Sequence, residues 1–176
     1  KIINKKSLNR VINMILQYFK KKENEYKKIS DKVYISVLYE SKNLIKKNYF
    51  KEINFDSSFE LISIIMVFYL KVFKDNNHSK FKKINEELVK NLIVDLDKSM
   101  REIGIGDMSI GKYVKKYVKK FYYRVKKIDN IIDDYNQINF INYLNSIKNI
   151  DNKRTKQLAL NLMSIYQKIL NNKKIT

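Results

Sequence analysis

Apolar residues recur at spacings of three and four positions along almost the whole chain, which is the period of an α-helix. The pattern predicts about seven helices. Their approximate ranges are 8–19, 33–48, 59–73, 82–103, 114–135, 138–147 and 153–170. The chain has no Pro, no Asn-Gly or Asp-Gly pair and only three Gly, so the turn chemistry of β-hairpins is missing. We therefore predict an all-α fold, with a single helical domain over residues 1–176.

The predicted helix at 59–73 is the most apolar part of the chain. Its apolar run is ten residues long and is bounded by Glu60 and Lys71. A membrane-spanning helix needs about 20 apolar residues. We therefore predict a central core helix, capped at its start by Ser57 or Ser58, whose hydroxyl groups accept from free helix N–H groups.

All three glycines of the chain, Gly104, Gly106 and Gly111, fall within eight residues. Gly104 follows an apolar helical pattern, where a helix C-terminus favours a left-handed residue without a Cβ atom. Asp107 or Ser109 can cap the next helix. The spacing differs from that of a phosphate-binding loop, so we interpret 104–111 as a helix-turn-helix connection with at most weak anion binding at the helix N-terminus.

The helix predicted at 114–135 has the most regular pattern. Its apolar stripe is predicted to consist of Val114, Val118, Phe121, Val125, Ile128, Ile132 and Tyr135. The candidate basic surface on the other side consists of Lys115, Lys116, Lys119 and Lys120, interleaved with Tyr113, Tyr117, Tyr122 and Tyr123. Such a face is typical of a nucleic-acid or membrane surface, and equally of an ordinary solvated helix face.

Composition excludes much of enzymology. The chain has no Cys, which excludes thiolate chemistry. Its single His is His78, which excludes His-based triads and multi-His metal sites. The net charge of +19 attracts phosphate, although only four of the 37 basic residues are Arg and the Lys, Asn and Ile bias is typical of an AT-rich genome. Because the chain begins at Lys1 rather than Met, we expect some N-terminal sequence to have been trimmed.

Two acidic segments raise one enzymatic alternative. They contain Asp95, Asp97, Asp129, Asp133 and Asp134. Paired acidic clusters on helices can hold Mg²⁺ for a diphosphate substrate, as in helical terpenoid synthases. We favour the interpretation that Asp97 pairs with Arg101 at the i,i+4 spacing, because about 176 residues cannot enclose the large cavity of those enzymes.

The segment 88–124 resembles the ubiquinol–cytochrome c chaperone family. The family pattern has an acidic helix end, Arg-Glu, a Gly-x-Gly-Asp-x-Ser turn, a basic segment and Phe-Tyr-Gly-Arg. The matching positions are Asp95, Asp97, Arg101, Glu102, Gly104, Gly106, Asp107, Ser109, Lys112, Val114, Lys115, Phe121, Tyr122 and Arg124. Tyr123 stands in place of the Gly, and the layout is similar over 29–135.

The resemblance implies a non-enzymatic assembly chaperone for newly synthesised cytochrome b, with no cofactor, metal or small-molecule substrate. It further implies work near the ribosome or the membrane surface, with a small partner subunit, in the bacterial cytoplasm at the inner membrane or in the mitochondrial matrix. A basic surface suits ribosomal RNA or anionic lipid, and an apolar groove between helices suits a hydrophobic client segment.

The matching segment also suggests a structural role for its charged residues. We expect Asp97, Arg101, Glu102 and Asp107 to form a polar network that fixes the turn, with Arg124 projecting beside it. The functional alternative is a basic helical module that binds RNA or DNA, or lies on a membrane surface without a specific client.

Overall fold

The computed structural model describes the backbone of residues 5–75, 79–133 and 137–172. These residues form six helices. They are α1 (Lys5–Ile45), α2 (Phe55–Asp75), α3 (Ser79–Glu102), α4 (Asp107–Asp133), α5 (Gln137–Asn145) and α6 (Thr155–Asn171). The predicted all-α fold is confirmed, and the count of seven helices is wrong by one.

The difference lies in α1, which joins the helices predicted at 8–19 and 33–48 into one element of 41 residues. The range predicted for the first helix stops at residue 19, directly before the basic run 20–22. However, no Gly or Pro occurs between the two predicted helices, and Lys and Glu are favourable helix formers, so nothing in this segment stops the helix. Beyond Ser30, the apolar side of α1 is buried against α2 and α3, and this packing stabilises the long helix.

Helix α2 is the centre of the fold, with α1, α3, α4 and α6 packed around it. Side chains on all its faces are buried, so its sequence is apolar without a polar stripe. It begins at Phe55, four residues before the predicted start. Asn54 caps it, because the Ser57 N–H donates to Asn54 Oδ1 at 3.0 Å while the Asn54 N–H donates to Ser57 Oγ at 2.8 Å. The prediction that Ser57 or Ser58 is the cap is therefore wrong.

The two connections before α2 and before α6 are paired with each other. Phe50 and Ile150 form an isolated antiparallel bridge, and both side chains are buried. Two backbone hydrogen bonds of 2.9 Å flank it, from Lys51 N–H to the Asn149 carbonyl and from Asp151 N–H to the Tyr49 carbonyl. This pairing holds α6 against the side of α2 that the other helices leave uncovered.

The α3–α4 connection is a tight turn that ends α3. Gly104 has a φ of +84°, and its N–H donates to the Arg101 carbonyl at 3.0 Å. The Ile105 N–H donates to the Met100 carbonyl at 3.0 Å, which completes a Schellman motif. The predicted left-handed role of Gly104 is confirmed. Because α4 begins at Asp107, the residue before it is Gly106, and neither Asp107 nor Ser109 takes the predicted cap position.

We expect Gly104→Ala to lower the free energy of unfolding by about 1 to 2 kcal/mol, because an L-residue is strained at this positive φ. A Cβ atom at this position would meet nothing within 4 Å, so the effect comes from the backbone alone. Gly111→Ala is the matched control: Gly111 lies inside α4 with equally open space, and the substitution should stabilise by up to about 1 kcal/mol. Urea unfolding of both variants measures the two changes, and equal shifts would contradict the prediction.

Candidate functional site

An apolar groove with a volume of about 860 Å³ lies between α2, α3 and α4. Its apolar lining consists of Val67, Leu70, Phe73, Phe81, Val89, Tyr122 and Val125. Its polar lining consists of Lys71, Lys74, Lys82, Asn85, Glu86, Lys90 and Asp129. Phe73 and Phe81 stack with ring centroids 5.5 Å apart, which joins α2 to α3 at one side of the groove. The groove therefore offers apolar contact area within a polar rim.

One ion-pair cluster joins α2 to α4 at the groove. Asp129 Oδ1 lies 3.0 Å from Lys71 Nζ, and Asp129 Oδ2 lies 2.9 Å from Lys74 Nζ. Burial acts to raise the pKa of Asp129, but the hydrogen bonds from Lys74 and Lys71 outweigh it and hold this pKa below its usual value. Asp129 is therefore ionised at neutral pH, and it compensates the charge of the buried Lys71 ammonium group.

Asn85 adds an unusual feature to the groove lining. Its Oδ1 atom is buried and has no hydrogen-bond partner within the described part of the chain. An unpaired buried acceptor costs about 1 to 3 kcal/mol. A donor brought into the groove by a bound molecule would relieve this cost once the amide turned toward it.

A second concavity, of about 1060 Å³, lies between α4 and α5. We define the basic surface by its lysines, which are Lys112, Lys115, Lys116, Lys119, Lys120 and Lys148. The structure thus brings together all four lysines of the predicted surface. Lys120 forms an ion pair with Asp56 at 3.1 Å, whereas in the described ranges no acidic side chain forms an ion pair with the other three. The hydrogen bonds from Lys120 and Tyr117 to Asp56 lower its pKa against the opposing effect of burial.

The floor of this basic concavity contains a buried ion pair between Arg124 and Glu60, whose side chains are 9% and 8% exposed. Arg124 Nε donates to Glu60 Oε2 at 2.7 Å, and a second bond joins Arg124 Nη2 to Glu60 Oε1. The guanidinium carbon also lies 5.1 Å from the centre of the Phe59 ring. This pair connects α2 to α4 through a two-pronged contact that only Arg can make.

Arg124 does not lie beside the α3–α4 turn as predicted. At a rise of about 1.5 Å per residue, it is about 25 Å along α4 from Asp107. The sequence carried a signal for its true position: Arg124 is three residues after Phe121 and four before Ile128, which places it on the apolar face.

The buried face of α4 is rotated relative to the predicted stripe. Its buried members are Ile110, Tyr117, Phe121, Arg124, Ile128 and Ile132, while Val114, Val118 and Val125 are half-buried. Tyr117, predicted on the lysine face, is buried and donates to Asp56 Oδ1 at 3.0 Å. Burial and the adjacent Asp56 carboxylate raise the pKa of Tyr117. Phe55 and Phe59 pack edge-on against its ring, so this side of α4 rests on the start of α2.

The charged residues at the turn form a smaller network than predicted. Arg101 Nε donates to Asp97 Oδ2 at 2.9 Å, and Arg101 Nη1 donates to Asp107 Oδ1. Glu102 lies outside this network, 3.8 Å from Lys98. All these side chains are largely exposed, so each pair adds little to stability.

The other predicted positions are dispersed. Asp95 accepts a 2.8 Å hydrogen bond from Tyr34, and burial together with this carboxylate raises the pKa of Tyr34. Phe121 is fully buried, whereas Tyr122 is 54% exposed and lines the apolar groove. Ser109 is exposed in the first turn of α4.

Asp95, Asp97 and Asp129, from the magnesium alternative, are each bound to a protein partner. His78, Asp134, Tyr135 and the side chain of Asp133 lie outside the described residues, as do the side chains of the stripe predicted at 8–19.

Over residues described here, no group of His, Asp and Glu side chains is arranged to hold a metal ion. None of the helices in the same ranges is long and apolar enough to cross a membrane.

The fold defines the class as an all-helical protein with an apolar groove between three of its helices. A family model described as ubiquinol-cytochrome C chaperone matches residues 52–145, more than half of the chain, and the chain belongs to this family. The predicted resemblance is confirmed. The chain is therefore an assembly chaperone for a protein client and not an enzyme.

The fold is shared with a solved relative. The crystal structure of the Cbp3 homolog from Brucella abortus superposes with a TM-score of 0.71 and 22% sequence identity, covering 89% of this chain and 88% of that one. No curated protein matches the chain significantly. The apolar groove and the lysines from Lys112 to Lys120 lie wholly inside the segment matched by the family model.

Proposed function

We propose that this chaperone binds newly synthesised cytochrome b and promotes the assembly of ubiquinol–cytochrome c reductase. The observation that carries the proposal is the apolar groove between α2, α3 and α4, because its entire lining lies in the segment that defines the family. Cytochrome b is a membrane protein, so its newly made segments expose apolar side chains to water before insertion. A groove lined by Val67, Leu70, Val89 and Val125 removes such side chains from water.

The polar groups around the groove suit a transient client. Removing apolar surface from water contributes about 25 cal/mol per square ångström before the entropic cost of association is subtracted, whereas polar rim contacts add specificity more than affinity. Asn85 Oδ1 offers an acceptor to a client N–H group. Release then requires only that the client find a larger apolar surface, as it does in the membrane.

We further propose that the client is received close to the ribosome or the membrane surface, with a small partner subunit. The compartment is the bacterial cytoplasm at the inner face of the inner membrane, or the mitochondrial matrix. Within the family motif, we propose that Asp97, Arg101 and Asp107 orient the α3–α4 turn, with the left-handed Gly104 ending α3.

A matched pair of α3 substitutions tests the groove. Val89 lines it, whereas Val94 is 68% exposed on the same helix outside it. In a deletion strain, we expect Val89→Asp to restore much less haem b and haem c absorbance of the reductase than wild type. Val94→Asp should restore it fully. A photocrosslinker at position 89, but not at 94, should capture cytochrome b.

Normal haem spectra in the deletion strain itself would overturn the proposal. Equal rescue by the two variants would show that the groove is not the client-binding site.

The basic surface favours a second candidate function, a helical RNA-binding module. That function predicts binding to RNA that falls log-linearly with salt, whereas capture of an apolar client persists as salt is raised.

A further inference from the structure

One face of α1 carries a line of five exposed side chains. Lys28, Lys32, Ile35, Tyr39 and Lys42 follow at spacings of four, three, four and three, so they lie within about 40° of one line along the helix. Ile35 and Tyr39 are 65% and 64% exposed and stand about one turn apart at the centre of this line. We call the line the α1 stripe. Helix α1 packs on α2 and α3 through its other side, so the stripe faces solvent.

The spacing of the α1 stripe is that of a seam between two helices. Alternating steps of three and four residues keep side chains facing a neighbouring helix over several turns. From Lys28 to Lys42 the stripe is about 21 Å long, so a partner helix of about four turns covers it. The stripe precedes the segment 52–145 that the family model matches, so membership of the family gives it no role.

The charges of the α1 stripe favour an acidic partner. In the described ranges, no carboxylate forms an ion pair with any of its three lysines. The acids that border it, Glu25 and Asp31, lie on opposite sides of its line, and Asp31 already accepts from Asn91 Nδ2 at 2.9 Å. The ammonium groups at the two ends of the stripe therefore attract carboxylates placed at the two ends of a partner seam.

The same arrangement of charges disfavours other occupants. A helix that lies on a membrane has apolar side chains along the centre of its buried face and lysines on the polar side. In the α1 stripe the lysines share the central line, and Glu25 and Asp31 occupy the sides, where they repel a continuous layer or chain of phosphates. A second copy of the stripe would bring lysine against lysine, between chains that each carry a net charge of +19.

We propose that the α1 stripe docks an acidic amphipathic helix of a different protein. Two apolar side chains of that helix pack on Ile35 and Tyr39. Its carboxylates pair with Lys28 and Lys32 at one end and with Lys42 at the other. The docking uses neither the apolar groove nor a client, and it goes beyond the proposed function, which assigns no surface to a partner.

A synthetic peptide is the probe for this docking. It is a helix of about 20 residues, with Leu at two central seam positions and Glu at the seam positions on either side. Fluorescence anisotropy should show that the full chain binds it at least about tenfold more tightly than a scrambled peptide of the same composition. Ile35→Ala/Tyr39→Ala should weaken binding by about tenfold to 100-fold. The matched control, Ile138→Ala/Leu160→Ala, removes two exposed apolar side chains from α5 and α6 and should bind as wild type does.

Charge reversal tests the ends of the seam. Lys28→Glu/Lys32→Glu should weaken binding of the peptide by about tenfold, and a peptide with Lys in place of Glu at the matching end should recover it. The matched control, Lys115→Glu/Lys119→Glu, changes the net charge by the same amount on α4 and should weaken binding much less. Because all substituted side chains are at least partly exposed, circular dichroism of every variant should remain that of wild type.

Several outcomes would overturn the proposal. They are equal binding of the ordered and scrambled peptides, equal losses in the two double-alanine variants, and equal losses in the two charge reversals. The proposal also fails if Ile35→Ala/Tyr39→Ala leaves peptide binding intact but abolishes binding of anionic vesicles or oligouridine, or self-association of the chain. Because no client is present, these outcomes do not bear on the binding of cytochrome b.

Discussion

Glu60→Leu is expected to lower the free energy of unfolding by about 3 to 5 kcal/mol, because it leaves the Arg124 guanidinium buried without its counter-charge. Glu60 lies on α2 and its side chain is buried. Both its carboxylate oxygen atoms accept hydrogen bonds from Arg124 on α4. Urea denaturation followed by circular dichroism measures the change.

Two further variants make this measurement specific. Glu60→Leu/Arg124→Met removes both charges and should recover much of the lost stability, since two apolar side chains leave no uncompensated charge. Glu102→Leu removes an acid from the exposed pair with Lys98, and this change should stay within about 0.5 kcal/mol. If Glu60→Leu and Glu102→Leu had similar effects, the buried pair would not stabilise the α2–α4 contact.

Phe68→Ala is the second substitution with a large expected effect, a loss of about 3 to 5 kcal/mol in the free energy of unfolding. Phe68 is fully buried in α2, with its ring centroid 5.2 Å from that of Tyr166 on α6 and 6.3 Å from that of Phe140 on α5. Removing the ring leaves a cavity where three helices meet. We expect amide hydrogen exchange to accelerate most in α5 and α6.

Leu160→Ala is the control for this cavity. Leu160 is on α6 but is 44% exposed, so its truncation should change stability by about 0.5 kcal/mol at most and leave the exchange pattern unchanged. Uniform acceleration of exchange along the whole chain after Phe68→Ala would contradict a local connection between α2 and α6.

Much of the fold could be predicted from the sequence because helical periodicity is a local property. The range 82–103 came within three residues of the observed α3, and the left-handed Gly104 followed from its place after an apolar pattern. The error at residues 20–22 has a physical origin. A run of lysines looks like a helix end, yet Lys is itself a good helix former, and packing further along the chain stabilises the whole element.

The site was less predictable because its contacts are distant in sequence. Glu60 and Arg124 are 64 residues apart, and no local pattern pairs them. Glu60 and Arg124 each lie at helical spacing from apolar residues, which indicates that the charge is buried. This pattern does not identify the residue with which the charge pairs. The lysines from 115 to 120 were recognised as a surface, whereas their meeting with Lys148 depended on the fold of α5 against α4.

The bridge between Phe50 and Ile150 bears on how the protein is made. Synthesis proceeds from the N-terminus, so about 100 residues must be added after Phe50 before its bridge partner Ile150 exists, and a similar number after Phe68 before Tyr166 exists. Until α6 has been synthesised, the side of α2 that packs against α6 remains exposed to water. This chaperone therefore completes its own core only after α6 has been translated, and a chain terminated before α6 would expose apolar surface of the kind that we propose the chaperone covers on its client.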